Sequence, residues 1–196
     1  MTRLTYLKIG AGVLLIGLLA WGVSRGLERL AGLPPDSTAT PEGATVPGAN
    51  VPRITATLYY GAADGQSLIP ARREVPLAEG VVPQGRAILA MQLQPAPEPY
   101  VSVIPEGTAL RAFYVTDRGD AFVDLSPEAS SAHPGGSSTE LLTVYAIVNA
   151  VTANLPTIQR VQILIDGREA DTLAGHVDLR RPLQQDLSLV AEPKVQ

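Results

Sequence analysis

The chain contains no cysteine. Disulfides, thiolate metal sites and a lipid-modified N-terminal cysteine are therefore excluded. Histidine is almost as scarce, with only His133 and His176, 43 residues apart. Nothing like an H-x-x-x-H spacing is present, and a His/Asp metal site would need the two to converge with Asp120, Asp124 or Asp178. Basic residues are outnumbered, 15 Lys and Arg against 19 Asp and Glu. That balance speaks against a nucleic-acid groove, which carries a basic footprint. There is no G-x-S-x-G, no Walker lysine and no G-x-G-x-x-G ahead of a helix, so hydrolase and nucleotide-binding readings have no motif behind them. Charged residues make up only 17% and hydrophobic ones 45%, enough for a real core in a chain of 196 residues. That length accommodates one ordinary domain with appendages.

The charge is unevenly spread. Residues 1–30 carry Arg3, Lys8, Arg25 and Arg29 against Glu28, a net +3, which leaves −7 for the rest of a chain whose total is −4. Between Lys8 and Arg25 runs an uncharged stretch, Ile9–Ser24 (IGAGVLLIGLLAWGVS). Its 16 residues are short against the roughly 20 that span a bilayer, but Thr5, Tyr6 and Leu7 extend it and the flanking basic side chains can snorkel. Tyr6 and Trp21 suit the two interfaces. Ser24-Arg25-Gly26-Leu27 is a poor cleavage site, so residues 1–30 read as an uncleaved transmembrane signal anchor. Its amino terminus is expected inside, with the bulk of the chain outside the cytoplasm. Residues 31–52 (AGLPPDSTATPEGATVPGANVP) hold five prolines and three glycines and cannot build a core; they read as a disordered tether.

A folded domain is expected over 53–185, followed by a flexible tail at 186–196. Ile54–Tyr60 alternates as a half-buried strand, Asp64-Gly65 signals a hairpin turn, and Leu68–Val75 is the return strand. Arg72, Arg73 and Glu74 mark that return strand as an edge. A helix is predicted over Pro83–Leu93, then a hairpin of Leu110–Thr116 and Ala121–Leu125, and a polar loop at Ser126–Gly136. A second helix begins at Ser137, which with Glu140 matches the capping box S-x-x-E. Leu141, Val144, Tyr145, Val148, Val151 and Leu155 form its core face, and Pro156 stops it. Val161–Ile165 is an apolar strand expected at the centre of its sheet. Asp166-Gly167 turns it into Arg168–Leu173, and Gly175-His176-Val177-Asp178 closes the domain. The order β-β-α-β-β-α-β-β implies a two-layer α+β domain, a mixed sheet with two principal helices on one face.

The segments LYYGAADGQSLIPARREVP, IPEGTAL, AFVDLSPE and TELLTVYAIVNAVTANLPTIQRVQILIDGREADTLAGHVDL together resemble the GerMN domain of sporulation and germination lipoproteins. The resemblance covers residues 54 to about 183. It implies a fold akin to ring-building motifs, which assemble into secretion-type rings and the sporulation channel, and it implies no catalytic activity. This chain differs from those lipoproteins in having one domain copy, an apolar anchor in place of a lipobox cysteine, and a proline-rich tether.

Ser137, Glu140, Asp166, Gly167, Gly175, His176 and Asp178 are read as structural motif residues, with no catalytic, cofactor or metal site. His176 is expected to bond backbone in a tight turn, and His133 to lie at the approach to the second helix, where an anion site is the alternative. Glu106, Asp124 and Glu128 are the acids that a glycosidase reading would need. The function expected is a non-catalytic interaction or assembly module of the cell envelope, anchored in the inner membrane with its domain in the periplasm. Its partners are expected to be envelope proteins or copies of itself. A peptidoglycan-binding domain using the loops Ser126–Gly136 and Gly175–Asp178 is the alternative, and an envelope hydrolase using Asp124, Glu128 or His176 ranks third.

Overall fold

A computed structural model describes residues 51–191. The proposed anchor and nearly all of the tether lie outside the described residues. Among those described, no helix is long and apolar enough to cross a membrane.

The alternating segment forms strand β1, Arg53–Gly61, which pairs antiparallel with β2, Leu68–Pro76, in unbroken register from Arg53 opposite Pro76 to Gly61 opposite Leu68. The Asp64-Gly65 turn joins them: Gly65 sits at φ 67 and the Asp64 carboxylate accepts the Gln66 N–H. Helix α1 follows at Val81–Gln92, with Pro83 in its first turn, where its missing N–H costs nothing.

The second hairpin is β3, Leu110–Val115, with β4, Asp120–Leu125. Short helix α2, Glu128–Ser131, and long helix α3, Ser137–Asn154, then carry the chain to β5, Arg160–Ile165. This crossover allows β5 to pair parallel with β4, which a short turn could not. Strands β6, Arg168–Glu169, and β7, Leu183–Gln184, both pair antiparallel with β5. The apolar β5 is thus central, and the sheet around it is mixed.

The architecture is α+β, but it differs from a single sheet carrying both helices. The first hairpin is a two-stranded sheet of its own, separate from the five-stranded one. Helices α1 and α3 touch strands of both sheets. Contact with both sheets explains α3, which is buried from Leu142 to Val144 and from Ala146 to Val151 rather than along one stripe. Its Leu141 and Tyr145, expected in the core, are only partly buried, while Val148 and Val151 are fully enclosed. Where α1 crosses β3, the ring of Phe113 lies so close to Gly85 that a methyl group there would overlap it. Gly85 is therefore a packing glycine inside a helix.

Three further boundaries move. The polar loop contains α2, the return strand after Gly167 shortens to two residues, and the tail is not loose through 191. Asn149 exchanges two hydrogen bonds with the Asp186 backbone, and Leu68 exchanges two with Leu189 and Ala191.

Side-chain amides fasten the layers. Asn154, at the end of α3, accepts the Thr57 N–H at 2.8 Å and donates to the Thr57 carbonyl at 2.7 Å. Gln92, at the end of α1, does the same for Tyr59 at 2.9 and 2.7 Å. Each amide imitates one residue of a neighbouring strand, and together with a bridge from Gly61 to Val101 they satisfy the outer edge of β1 from Thr57 to Gly61.

Candidate functional site

The two polar loops singled out from the sequence converge at the first turns of α3, around Glu140. The expected capping box does not form. Gly136 is the N-cap, its carbonyl accepting the Glu140 N–H at 3.0 Å, and no side chain caps the helix. Ser137 is thus one position inside the helix and exposed, and Glu140 stands one position beyond the place from which a carboxylate reaches back to the cap. It turns into the protein instead and is fully buried.

There its carboxylate gathers the loop that follows β6. Oε1 accepts the N–H groups of Leu173 at 2.8 Å and Ala174 at 2.9 Å. Oε2 accepts the His176 N–H at 2.8 Å and lies 3.1 Å from that residue's ring Nδ1, which donates to it. Burial alone would raise the Glu140 pKa, but the backbone donors and the His176 ring outweigh it, so the carboxyl titrates below its usual range. Gly175, at φ 99, donates to the Thr172 hydroxyl, and Ser130 of α2 donates to the Leu173 carbonyl at 2.6 Å. His176 therefore meets a carboxylate through its ring, rather than backbone alone.

His133 closes the other loop. Its Nδ1 accepts the Gly135 N–H at 3.0 Å, so a neutral ring carries its proton on Nε2, which points at the Thr143 hydroxyl 3.1 Å away. Thr143 in turn donates to the Val103 carbonyl at 2.5 Å. Burial lowers the His133 pKa; Glu140 pushes it up and His176 down. The two histidines, far apart in sequence, thus lie around one carboxylate. Beside the His133 loop opens a cleft of about 720 Å³, walled by Tyr60, Val101, Ile104, Pro105, Pro134 and Leu142, with Glu106 at its lining. Tyr60 stacks on Tyr100, ring centroids 5.7 Å apart.

The remaining residues serve elsewhere. Asp166, at φ 53, and Gly167, at φ 74, make the left-handed pair that a tight hairpin turn requires. The buried Asp124 accepts the Gly167 N–H at 2.7 Å and lies 3.5 Å from Arg111, the residue left over where the β3–β4 register shifts; Arg111 also pairs with Asp166. Asp178 is exposed and forks onto Arg180, which holds its carboxyl far below the usual range. Glu128 is exposed, its carboxyl lowered by a hydrogen bond from Ser126. Among the described residues no three His, Asp or Glu side chains could hold a metal ion. The amide clamps and Thr143 were not foreseen: a buried amide carries no local pattern, and its partner residues are 33 and 97 positions away.

Residues 57–171 match a family model described as Germane: Sporulation and spore germination. The chain belongs to that family. Among solved structures, the tandem GerMN domains of the sporulation protein GerM from Bacillus subtilis match with a TM-score of 0.51 at 18% identity, over 69% of this chain and 46% of that one. The first GerMN domain of the same protein matches with a TM-score of 0.49 at 18% identity, over 68% and 96%. A Clostridium perfringens protein described as a candidate lipoprotein matches with a TM-score of 0.49 at 24% identity, over 71% and 93%. No curated protein matches the chain. At 18% identity the tandem structure speaks for the fold alone, and the Germane membership rests on the family match.

Proposed function

We propose that this Germane-family chain is a membrane-tethered interaction and assembly module of the cell envelope, held outside the cytoplasm, that performs no chemistry of its own. One observation carries the reading. The buried side chains with chemical potential are spent on internal bonds: Glu140 on four donors, Asp124 on Gly167 and Arg111, and the part-buried His133 on Gly135 and Thr143. A carboxylate saturated by donors is a poor base and a poor nucleophile, and a histidine with both ring nitrogens held by internal partners has neither free for proton transfer. The apolar Ile9–Ser24 with its basic flanks supplies the anchor, and residues 31–52 supply the reach. The domain associates with envelope proteins or with copies of itself. Sedimentation of the full chain in detergent tests this: mass rising with concentration is expected, and a strict monomer at high concentration counts against self-assembly. A C-terminal reporter that is active only outside the cytoplasm tests the topology.

A second reading, binding of peptidoglycan, is favoured by the cleft beside the Ser126–Gly136 loop. Co-sedimentation with purified peptidoglycan would support it, and a clean supernatant would sink it.

A further inference from the structure

The outer edge of β2 differs from the other strand edges of the hairpin and of β5. The outer edge of β1 is met from Thr57 to Gly61 by Asn154, Gln92 and Val101, and β5 is flanked by β4, β6 and β7. On β2, Leu68 bonds outward to Leu189 and Ala191. The two-residue period then turns the backbone of Pro70, Arg72, Glu74 and Pro76 outward as well. The prolines have no N–H, and the Pro76 carbonyl accepts the Gln84 amide. Arg72 and Glu74 between them are exposed, and among the described residues nothing pairs with their backbone groups. The strand carries no bulge here.

We propose that this window docks a second copy of the chain, by antiparallel β2–β2 pairing about a two-fold axis through Arg73, so that Arg72 of each copy faces Glu74 of the other. The proposal rests on the self-assembly reading and names its surface. Three antiparallel registers bring the outward N–H groups face to face, and all three use the same four donors. One sets Arg72 against Arg72 and another Glu74 against Glu74. Only the third crosses the charges, and symmetry does so twice; opposite charges directly across a pair of strands attract and like charges repel. In that register Pro70 faces Pro76, where neither has an N–H to lose, and the pairing stops there. Thr55 already donates to Glu74 at 2.9 Å and holds its carboxylate on this face. Arg73 lies on the axis and on the opposite face, where it opposes the pairing. Four hydrogen bonds make a weak dimer, and tethering to one membrane strengthens it by raising the effective concentration.

The absence of cysteine supplies the probe. Arg73→Cys places the only thiol on the axis, at a non-hydrogen-bonded pair whose Cα atoms stand about 4.5 Å apart, within disulfide reach. In membranes holding the full chain, R73C is expected to cross-link on mild oxidation, while a cysteine at the exposed Ser138 stays monomeric. R72E and E74R are each expected to cut the cross-linked fraction about tenfold, and the R72E/E74R double variant to restore it. Absence of the cross-link, or a cross-link indifferent to both reversals, overturns the proposal. Sedimentation separates the two failures. Association that survives R72E unchanged leaves the assembly reading standing and discards this edge, whereas no association at any concentration discards both.

Discussion

The first hairpin and the loop after β6 are both fastened to helices by side chains, but by opposite chemistry. Neutral amides, Gln92 and Asn154, hold the hairpin, each donating and accepting once at a strand residue. A single buried carboxylate, Glu140, holds the loop and accepts four times. The amides spread the attachment over two helices and leave it indifferent to protons. The carboxylate concentrates it in one charged group, with two histidines close enough to sense it. One end of the domain is therefore insulated from pH and the other is exposed to it.

The comparison breaks most sharply at Glu140. Glu140→Ala strips the acceptor from four donors at once and is expected to cost about 3 kcal/mol, read as a lower urea midpoint with unchanged m-value. Glu140→Gln, which keeps one acceptor oxygen, should recover part of that. Next in size is Gly85→Ala, a test of packing that touches neither fastening; overlap with Phe113 is expected to cost about 2 kcal/mol. Gln92→Leu leaves the buried Tyr59 N–H and C=O unpaired and is expected to cost about 1–2 kcal/mol, with Asn154→Leu somewhat less because its site is only part-buried. Neither amide loss should alter the pH profile.

The smallest effect is the most diagnostic. The His133 pKa is lowered on folding, so its contribution to stability is complete above the ordinary histidine range and is lost as pH falls through the folded value. Glu140, also lowered, contributes above the ordinary carboxylate range and loses that contribution at still lower pH. Stability should therefore fall on acidification in two steps. His133→Asn should remove the upper step and Glu140→Gln should shrink the lower, which Glu128 and Asp178 share, both followed by thermal melts at stepped pH. A profile unchanged by either substitution would refute the division.

Where the chain's chemistry is local, it was legible. Period-two alternation located β1, Asp64-Gly65 and Asp166-Gly167 located two turns, and the apolar VQILI run located the central strand. What failed was non-local. Separation of the hairpin from the main sheet depends on which strands find one another, and nothing in either segment records that. The pattern S-x-x-E matched at Ser137 and Glu140, but Gly136 took the cap and moved the register by one residue, sending the acid inward. The stripe on α3 misled because a helix in contact with both sheets has little polar face to betray its orientation. Of the candidate site, the two loops were visible as polar segments. Their meeting at one carboxylate was not, since 33 to 36 residues separate Glu140 from its backbone donors.

The two-sided bonding of β1 has a mechanical meaning. Whatever precedes residue 51 delivers its pull into Arg53, the first residue of this strand. The strand is gripped along its length by nine paired residues of β2 on one side, and from Thr57 to Gly61 by Asn154, Gln92 and Val101 on the other. A pull on Arg53 thus meets the paired residues of β2 first and is shared with two helices from Thr57 onward, which makes the first strand of the domain a rivet rather than a thread.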